Sequence, residues 1–216
     1  MVHIPTIKSE TLDRFLSVGW YRMHHTVFTT NFVDVRDPST RVYWLRYQVK
    51  NINVAKHKQL IRRNQAFTAV YRGLVITDEI NELYSAYFNS IDHDCSEDLQ
   101  GILGKKVKSA FDSYLIEVRH EGKLIAAGIF DKGKNSIAGI VNFYHPDYKK
   151  YSLGKYLMLL KLQYCLDNKF EWYYPGYFGP ALPKFEYKLF MDKDATEVYI
   201  PEEKKWIQFA DFVKSI

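Results

Sequence analysis

Residues suited to handling an acyl donor that carries phosphate concentrate in Tyr144-His145-Pro146-Asp147-Tyr148, followed by Tyr151-Ser152-Leu153-Gly154. A β-pattern ends here, a Pro-Asp turn follows and an apolar-periodic helix begins. The free N–H groups and positive dipole end of that helix therefore face a loop in which an anion can be held. Gly154 lets the first turn come close to a ligand and Ser152 suits an N-cap, with Leu153 between them. The same residues also fit an ordinary cap and tight packing of the helix on a sheet. His145 and Asp147 are candidate acid/base groups for removing a proton from an attacking amine; plain turn residues are their alternative role. An α-amine of pKa about 7.7–8 needs only modest help, and acyl transfer can proceed mainly by positioning and oxyanion stabilisation.

A second candidate stretch is Tyr173-Tyr174-Pro175-Gly176-Tyr177-Phe178-Gly179, leading into Lys184-Phe185-Glu186-Tyr187-Lys188. In a parallel unit ligands collect beyond the carboxyl ends of the strands, where Gly176, Tyr177 and Gly179 fall. Lys184 and Lys188 lie four apart, on one face of a short helix, and suit either phosphate contacts or a solvated surface. The densest positive cluster is Lys56, Lys58, Arg62 and Arg63, with Lys50 just before. On a helix these cations can neutralise the phosphates of an RNA backbone. A solvated face backed by Leu60 and Ile61 is the plainer alternative.

The elements that must position these residues are read from periodicity. Thr11–Ser17 reads as a short helix, Gly19–Phe32 and Arg41–Val49 as β-rich, and Asp34–Thr40 as the loop between them. Val54–Asn64 reads as the basic helix, Phe67–Tyr71 as a strand, and Asp78–Ser90 as a helix capped by Thr77 or Asp78. Asp92–Lys108 reads as a loop with one helical turn. Three strands in close succession then follow, Ser113–Arg119, Leu124–Phe130 and Ser136–Tyr144, forming an antiparallel meander. The helix Ser152–Asn168, with Leu153, Tyr156, Leu157, Leu160 and Tyr164 on one face, crosses over to a parallel strand at Phe170–Tyr174. The fold class is thus α/β (α+β), a mixed sheet made of a meander plus a βαβ unit. A smaller N-terminal α+β lobe, residues 1–108, precedes it, and 109–216 form the donor-binding lobe, possible also as one continuous domain. This element order resembles that of the acyl-CoA N-acyltransferases of the GNAT superfamily.

The chain has 216 residues, 47% hydrophobic and 25% charged, with 17 Tyr and 14 Phe, which is the composition of a packed globular protein. Its formal charge of +5 favours a polyanionic partner only mildly. No apolar run approaches the ~18 residues of a membrane span and no signal peptide precedes the first helix, so a soluble, cytoplasmic protein is expected. Cys95 and Cys165 match neither a disulfide framework nor a metal spacing and are expected as buried, reduced thiols.

Gly19-Trp20-Tyr21-Arg22, Lys58-Gln59 through Arg62-Arg63-Asn64, Asn142 through Tyr148 with Ser152-Leu153-Gly154, Tyr173 through Tyr177, and Lys184 through Lys188 occur in the order seen in aminoacyl-tRNA protein transferases. From about Gly19 to Met191 the chain is similar to the arginyltransferase family and its bacterial leucyltransferase relatives, which act on acidic N termini. The resemblance implies a GNAT-like enzyme that moves an amino acid, arginine or leucine, from charged tRNA to the N-terminal α-amine of an acceptor protein. No cofactor is then required. An acyl-CoA-dependent N-acyltransferase, using acetyl-CoA or another acyl-CoA, is the alternative, although Lys150–Tyr156 supplies only one glycine of a pyrophosphate loop. A non-catalytic RNA- or protein-binding module is the third reading. On the transferase reading the catalytic and acceptor pocket comprises Tyr144, His145, Asp147 and Tyr177. The donor is held by Ser152, Leu153, Gly154, Lys184, Tyr187 and Lys188, and RNA by Lys56, Lys58, Arg62 and Arg63. Aminoacyl-tRNA and a protein N terminus are the expected partners, and neither membrane nor DNA is. The family usually carries a cysteine cluster after the Gly-Trp/Phe-Tyr/Arg-Arg stretch, whereas His24–Thr30 here contains no cysteine. No metal or iron–sulfur site is therefore expected, and His24 and His25, adjacent on a strand, would point to opposite faces.

Overall fold

The computed structural model describes residues 6–33, 40–92, 95–105, 109–180 and 182–215, with the backbone alone for 183–185. Helix α1 (Ser9–Ser17) leads into a hairpin of β1 (Tyr21–Met23) and β2 (Thr26–Phe28), then a short pair, β3 (Phe32–Val33) and β4 (Thr40–Arg41). There follow β5 (Tyr43–Gln48), α2 (Lys58–Arg63), β6 (Thr68–Gly73), α3 (Asp78–Phe88) and α4 (Leu99–Leu103). The second half holds β7 (Ser113–His120), β8 (Lys123–Lys132), β9 (Ser136–Tyr144), α5 (Leu153–Asp167) and β10 (Trp172–Phe178). It closes with β11 (Thr196–Ile200), β12 (Lys205–Gln208) and α6 (Phe209–Ser215). Short 3-10 segments precede α2 (Val54–His57) and α5 (Pro146–Tyr151), and another follows β10 (Pro183–Phe190). Residues 34–39 of the loop expected at Asp34–Thr40 lie outside the described residues.

The local reasons are those visible in the chain. Thr77 caps α3 by accepting a hydrogen bond from the Ile80 N–H, Asp78 and Glu79 sit in the first turn, and Ile80, Leu83 and Tyr84 form the buried stripe. The meander appears as expected, with β7–β8 and β8–β9 antiparallel, and β10 pairs with β9 in parallel after the α5 crossover.

One mixed sheet of eight strands, in the order β12-β11-β5-β10-β9-β8-β7-β6, organises the molecule. β5 and β6, both from the N-terminal half, belong to it, and β5 lies between β11 and β10. The division at 108/109 therefore does not separate two sheets. Helices α5 and α6 cover one face, while α1, the β1–β2 hairpin and α3 cover the other. This double cover explains why Tyr43, Trp44 and Leu45 are all buried although they alternate along β5.

Four expectations need correction. Ser152 does not cap α5: it stands in the left-handed region at φ 56, joining the 3-10 segment to the helix, and its side chain makes no cap hydrogen bond. His24 and His25 lie in the turn between β1 and β2 rather than on a strand, and His24 Nε2 is 2.8 Å from the Gly101 carbonyl. Cys165 is buried but Cys95 is exposed. On α5 the fully buried positions are Leu153, Leu157, Met158, Leu159, Lys161, Leu162 and Cys165, while Tyr156, Leu160 and Tyr164 are only half-buried. Among the described residues no helix is long and apolar enough to cross a membrane.

Candidate active site

β9 and β10 stay paired only as far as Ala138 and Tyr174. Pro175 has no N–H to give to a ladder, and Gly176 adopts φ +98, so the register of β10 against β5 shifts between Tyr173 and Gly176 and the strand bends away. Beyond that point the edge of β9 from Gly139 to Asn142 borders a narrow cleft of about 30 Å³, lined by Met158 and Lys161 of α5, Tyr173 and Pro175 of β10, and Tyr187 and Lys188. On its other side β9 carries a bulge. Val141 pairs with Ile129 and Gly139 with Phe130, which leaves Ile140 without a partner in β8.

Lys161 lies at the floor of the cleft, 1% exposed. Its Nζ donates to the Ile129 carbonyl (2.8 Å), the Asn142 Oδ1 (2.7 Å) and the Val141 carbonyl (3.4 Å). Burial lowers the pKa of this ammonium from 10.5 to about 7, a fall partly offset by the charge of Asp131. Two glycines make room for it. A Cβ on Gly128 would lie 2.9 Å from Asn142 Oδ1 and 3.4 Å from Lys161 Cε, and one on Gly139 would lie 3.3 Å from the Tyr173 hydroxyl and 3.7 Å from Lys161 Nζ. Lys188, also buried, donates from Nζ to the Tyr177 carbonyl at 2.5 Å and lies 5.1 Å from the centre of that tyrosine's ring.

Of the residues expected at the site, Tyr187 and Lys188 line the cleft. Tyr144 ends β9 beside the first turn of α5, its ring 5.4 Å from that of Tyr87 and 3.6 Å from where a Cβ on Gly154 would stand. Gly154 therefore has ordinary space around it, and its carbonyl accepts a hydrogen bond from Asn142 Nδ2 (3.3 Å). Leu153, the first residue of α5, is fully buried and presents packing rather than a ligand contact. His145 and Asp147 sit in the turn before α5, with Nδ1 3.5 Å from Oδ2 and the Asp147 side chain 78% exposed. Tyr177 turns to the opposite face of the sheet, packed edge-on to Trp44 at 5.1 Å. The Lys184 side chain lies outside what is described; its backbone is in a 3-10 segment, whose period of three does not align positions 184 and 188.

The basic cluster divides. Lys56 is taken up by Asp192 (2.8 Å) and Asp194 (3.5 Å), whereas Lys58, Arg62 and Arg63 are exposed on α2. Arg63 donates to the Lys150 carbonyl (3.4 Å) and Asn64 to the Tyr151 carbonyl (3.1 Å), so α2 lies against the segment that carries exposed Lys149 and Lys150.

Lys161, Gly128 and Gly139 are not among the residues expected at the site, and Asn142 and Tyr173 enter the sequence analysis only as members of longer stretches, without a role of their own. The signals were present: a lysine between Met158 and Leu162 interrupts an apolar helix, and a glycine inside a strand marks close approach of a neighbour.

Residues 79–195, just over half of the chain, match the family described as "Arginine-tRNA-protein transferase, C terminus". The chain belongs to this family. As a member it is an acyltransferase of the aminoacyl-tRNA–protein transferase class, in agreement with the motif order. It is 24% identical over 214 residues to the aspartate/glutamate leucyltransferase of Leptospira interrogans, covering 96% of this chain and 82% of that one. To arginyl-tRNA–protein transferase 1 of Arabidopsis thaliana it is 29% identical over 104 residues, 46% of this chain and 16% of the plant protein. Among solved structures, a tandem GNAT protein from the clavulanic acid biosynthesis pathway aligns at a TM-score of 0.46 and 11% identity, over 74% of this chain and 50% of that chain. The family's match begins within α3 and ends before β11, so it spans the meander, the α5 crossover and both walls of the cleft.

Proposed function

We propose that the protein transfers a leucyl group from leucyl-tRNA to the α-amine of an acceptor protein whose N-terminal residue is acidic. The observation that carries the donor assignment is the lining of the β9–β10 cleft, which among the described residues contributes two lysines, Lys161 and Lys188, and no carboxylate. An arginyl side chain there would bring a permanent cation beside two lysines in a partly desolvated site whose described lining offers it no acid, whereas an aliphatic side chain carries no such penalty. The leptospiral relative bears the name of a leucyltransferase acting with aspartate and glutamate, which supports both halves of the reading.

The reaction is aminolysis of an ester. The acceptor's amine nitrogen forms a bond to the aminoacyl carbonyl carbon, the bond from that carbon to the terminal ribose oxygen breaks, the nitrogen gives up a proton and the ribose oxygen gains one. Backbone groups on the edge of β9 left open by the splay from β10 supply the polar surface against which the oxyanion develops. The pair of half-buried His145 and exposed Asp147 beside the α5 N terminus is the proton acceptor in this scheme, a modest task for an α-amine. Incubation with labelled leucyl- and arginyl-tRNA and peptides beginning with Asp, Glu, Lys or Arg is expected to place leucine on the Asp and Glu peptides alone. Arginine transferred as well as leucine would overturn the donor assignment, and label in no peptide would overturn the activity.

The tRNA is held by the continuous basic surface of Lys58, Arg62 and Arg63 together with Lys149 and Lys150, which are distant in sequence and brought together by the α2 contact. Lys56 is excluded from it by its carboxylate partners. A Lys58→Glu/Arg62→Glu variant is expected to bind tRNA more weakly, with the slope of log K against log salt reduced by about one per lost phosphate contact. Binding of unchanged strength and salt dependence would refute this surface.

A further inference from the structure

Lys161 poses a physical question that the transferase reading leaves unanswered. A methionine would fill nearly the same volume on α5 without the several kcal/mol that burying an ammonium costs. The structure instead places a cation there and gives each of its three N–H bonds an acceptor, at 2.8 Å (Ile129 carbonyl), 2.7 Å (Asn142 Oδ1) and 3.4 Å (Val141 carbonyl). Ile129 and Val141 are the paired residues at which the β8–β9 register breaks, next to unpartnered Ile140. The ammonium thus binds carbonyls on both strands at the bulge. Asn142 extends the connection, since its Oδ1 takes the lysine's proton bond while its Nδ2 donates to the Gly154 carbonyl in the first turn of α5 (3.3 Å). Gly128 and Gly139 lack the Cβ atoms that would crowd the lysine stem and head.

We propose that Lys161 is a positioning residue: its buried ammonium holds the bulge of β9 and, through Asn142, the first turn of α5, fixing together the strand edge and the helix start between which the aminoacyl ester reacts. The assignment of that edge to the reaction rests on the transferase reading; the mechanical link itself does not. It differs from a general-base role, because every proton on Nζ is already engaged with protein acceptors. The low pKa of the group agrees with its burial and adds nothing to the geometry.

Two variants test it, Lys161→Met and Asn142→Leu, the second sparing the ammonium but cutting the connection to α5. In steady-state transfer by the full chain, Lys161→Met is expected to lower kcat about 100-fold, the scale of a misplacement near 1 Å, with KM for charged tRNA changed by less than about threefold. Its Tm is expected to stay at or above that of the parent, as replacement of a buried charge by an apolar isostere permits. Amide hydrogen exchange, read in the absence of any substrate, is expected to quicken at least about tenfold at Ile140–Asn142 and Leu153–Lys155 in both variants, and not in β6 or β7. Unchanged exchange in those segments would overturn the proposal whether or not the parent protein is active. So would a parental kcat in Lys161→Met, or a loss of activity accompanied by a fall in Tm and by faster exchange throughout the sheet. An inactive parent with the local exchange response would instead count against the transferase reading alone.

Discussion

Gly139→Val is expected to reduce transfer by about 100-fold or more while leaving the protein folded. The glycine faces the cleft at the point where β9 and β10 part, and a Cβ there already comes within 3.3 Å of the Tyr173 ring and hydroxyl and 3.7 Å of Lys161 Nζ. Two further methyl groups would push Tyr173 aside or occupy the space proposed for the donor, and displacements of 1 Å in a reacting site cost about that factor. Gly139→Ala should lie between the parent and the valine variant. Because one side of the position opens to the cleft, the loss of stability should stay at or below the ~1–3 kcal/mol typical of core overpacking. Transfer kinetics beside urea denaturation check both statements. A valine variant with parental kcat/KM would show that the cleft is not where the donor reacts.

Arg22→Met is expected to carry the largest stability effect, on the order of 3–5 kcal/mol, the usual result of removing one partner from a buried ion pair. Arg22 Nη1 donates to Asp131 at 2.9 Å with both side chains nearly inaccessible, and to Ser113 Oγ at 3.0 Å. Its Nη2 donates to the Leu103 carbonyl (3.0 Å) and its Nε to the His24 carbonyl (2.7 Å). One guanidinium thereby ties the β1–β2 hairpin and the end of α4 to the sheet. Burial holds the Asp131 carboxyl above its ordinary range against the opposing pull of Arg22 and Ser113. Without Arg22 the rise should be greater. A carboxyl whose folded pKa exceeds its unfolded one contributes stability that is complete below about pH 3.9 and lost as pH rises through the folded value. The variant should therefore be weakest relative to the parent near neutral pH and recover part of the difference as pH falls toward 4. A further Asp131→Asn change should also restore part of it. Urea midpoints across that range decide the matter, and a pH-independent difference of less than about 1 kcal/mol would refute the account.

Arg22 also shows how motif and role can separate. In the sequence it is only the last residue of Gly19-Trp20-Tyr21-Arg22, and its partners lie 91 and 109 residues away. The hairpin it anchors packs closely on α4: a Cβ on Gly104 would come within 2.5 Å of the His25 ring, and this glycine stands at φ +90, where side chains are disfavoured. His24 and His25 are thus held in a structural contact.

What the sequence determined unaided was what local rules encode: the meander between Ser113 and Tyr144, the α5 crossover, the capped α3, the basic α2, and the family to which their order belongs. Alternation and helical period are properties of neighbouring residues, so they survive without knowledge of the fold. Tertiary structure alone decided which faces meet. It set β5 between β10 and β11, turned Tyr177 to the opposite face from α5, and neutralised Lys56 while joining Lys149 and Lys150 to α2. It also aimed Lys161 at the bulge in β9. The physical reason is the same in each case. A side chain's chemistry is set by what packs against it, and for Lys161 that environment comes from Ile129, Val141 and Asn142, 19 to 32 residues away and visible only once the sheet has formed.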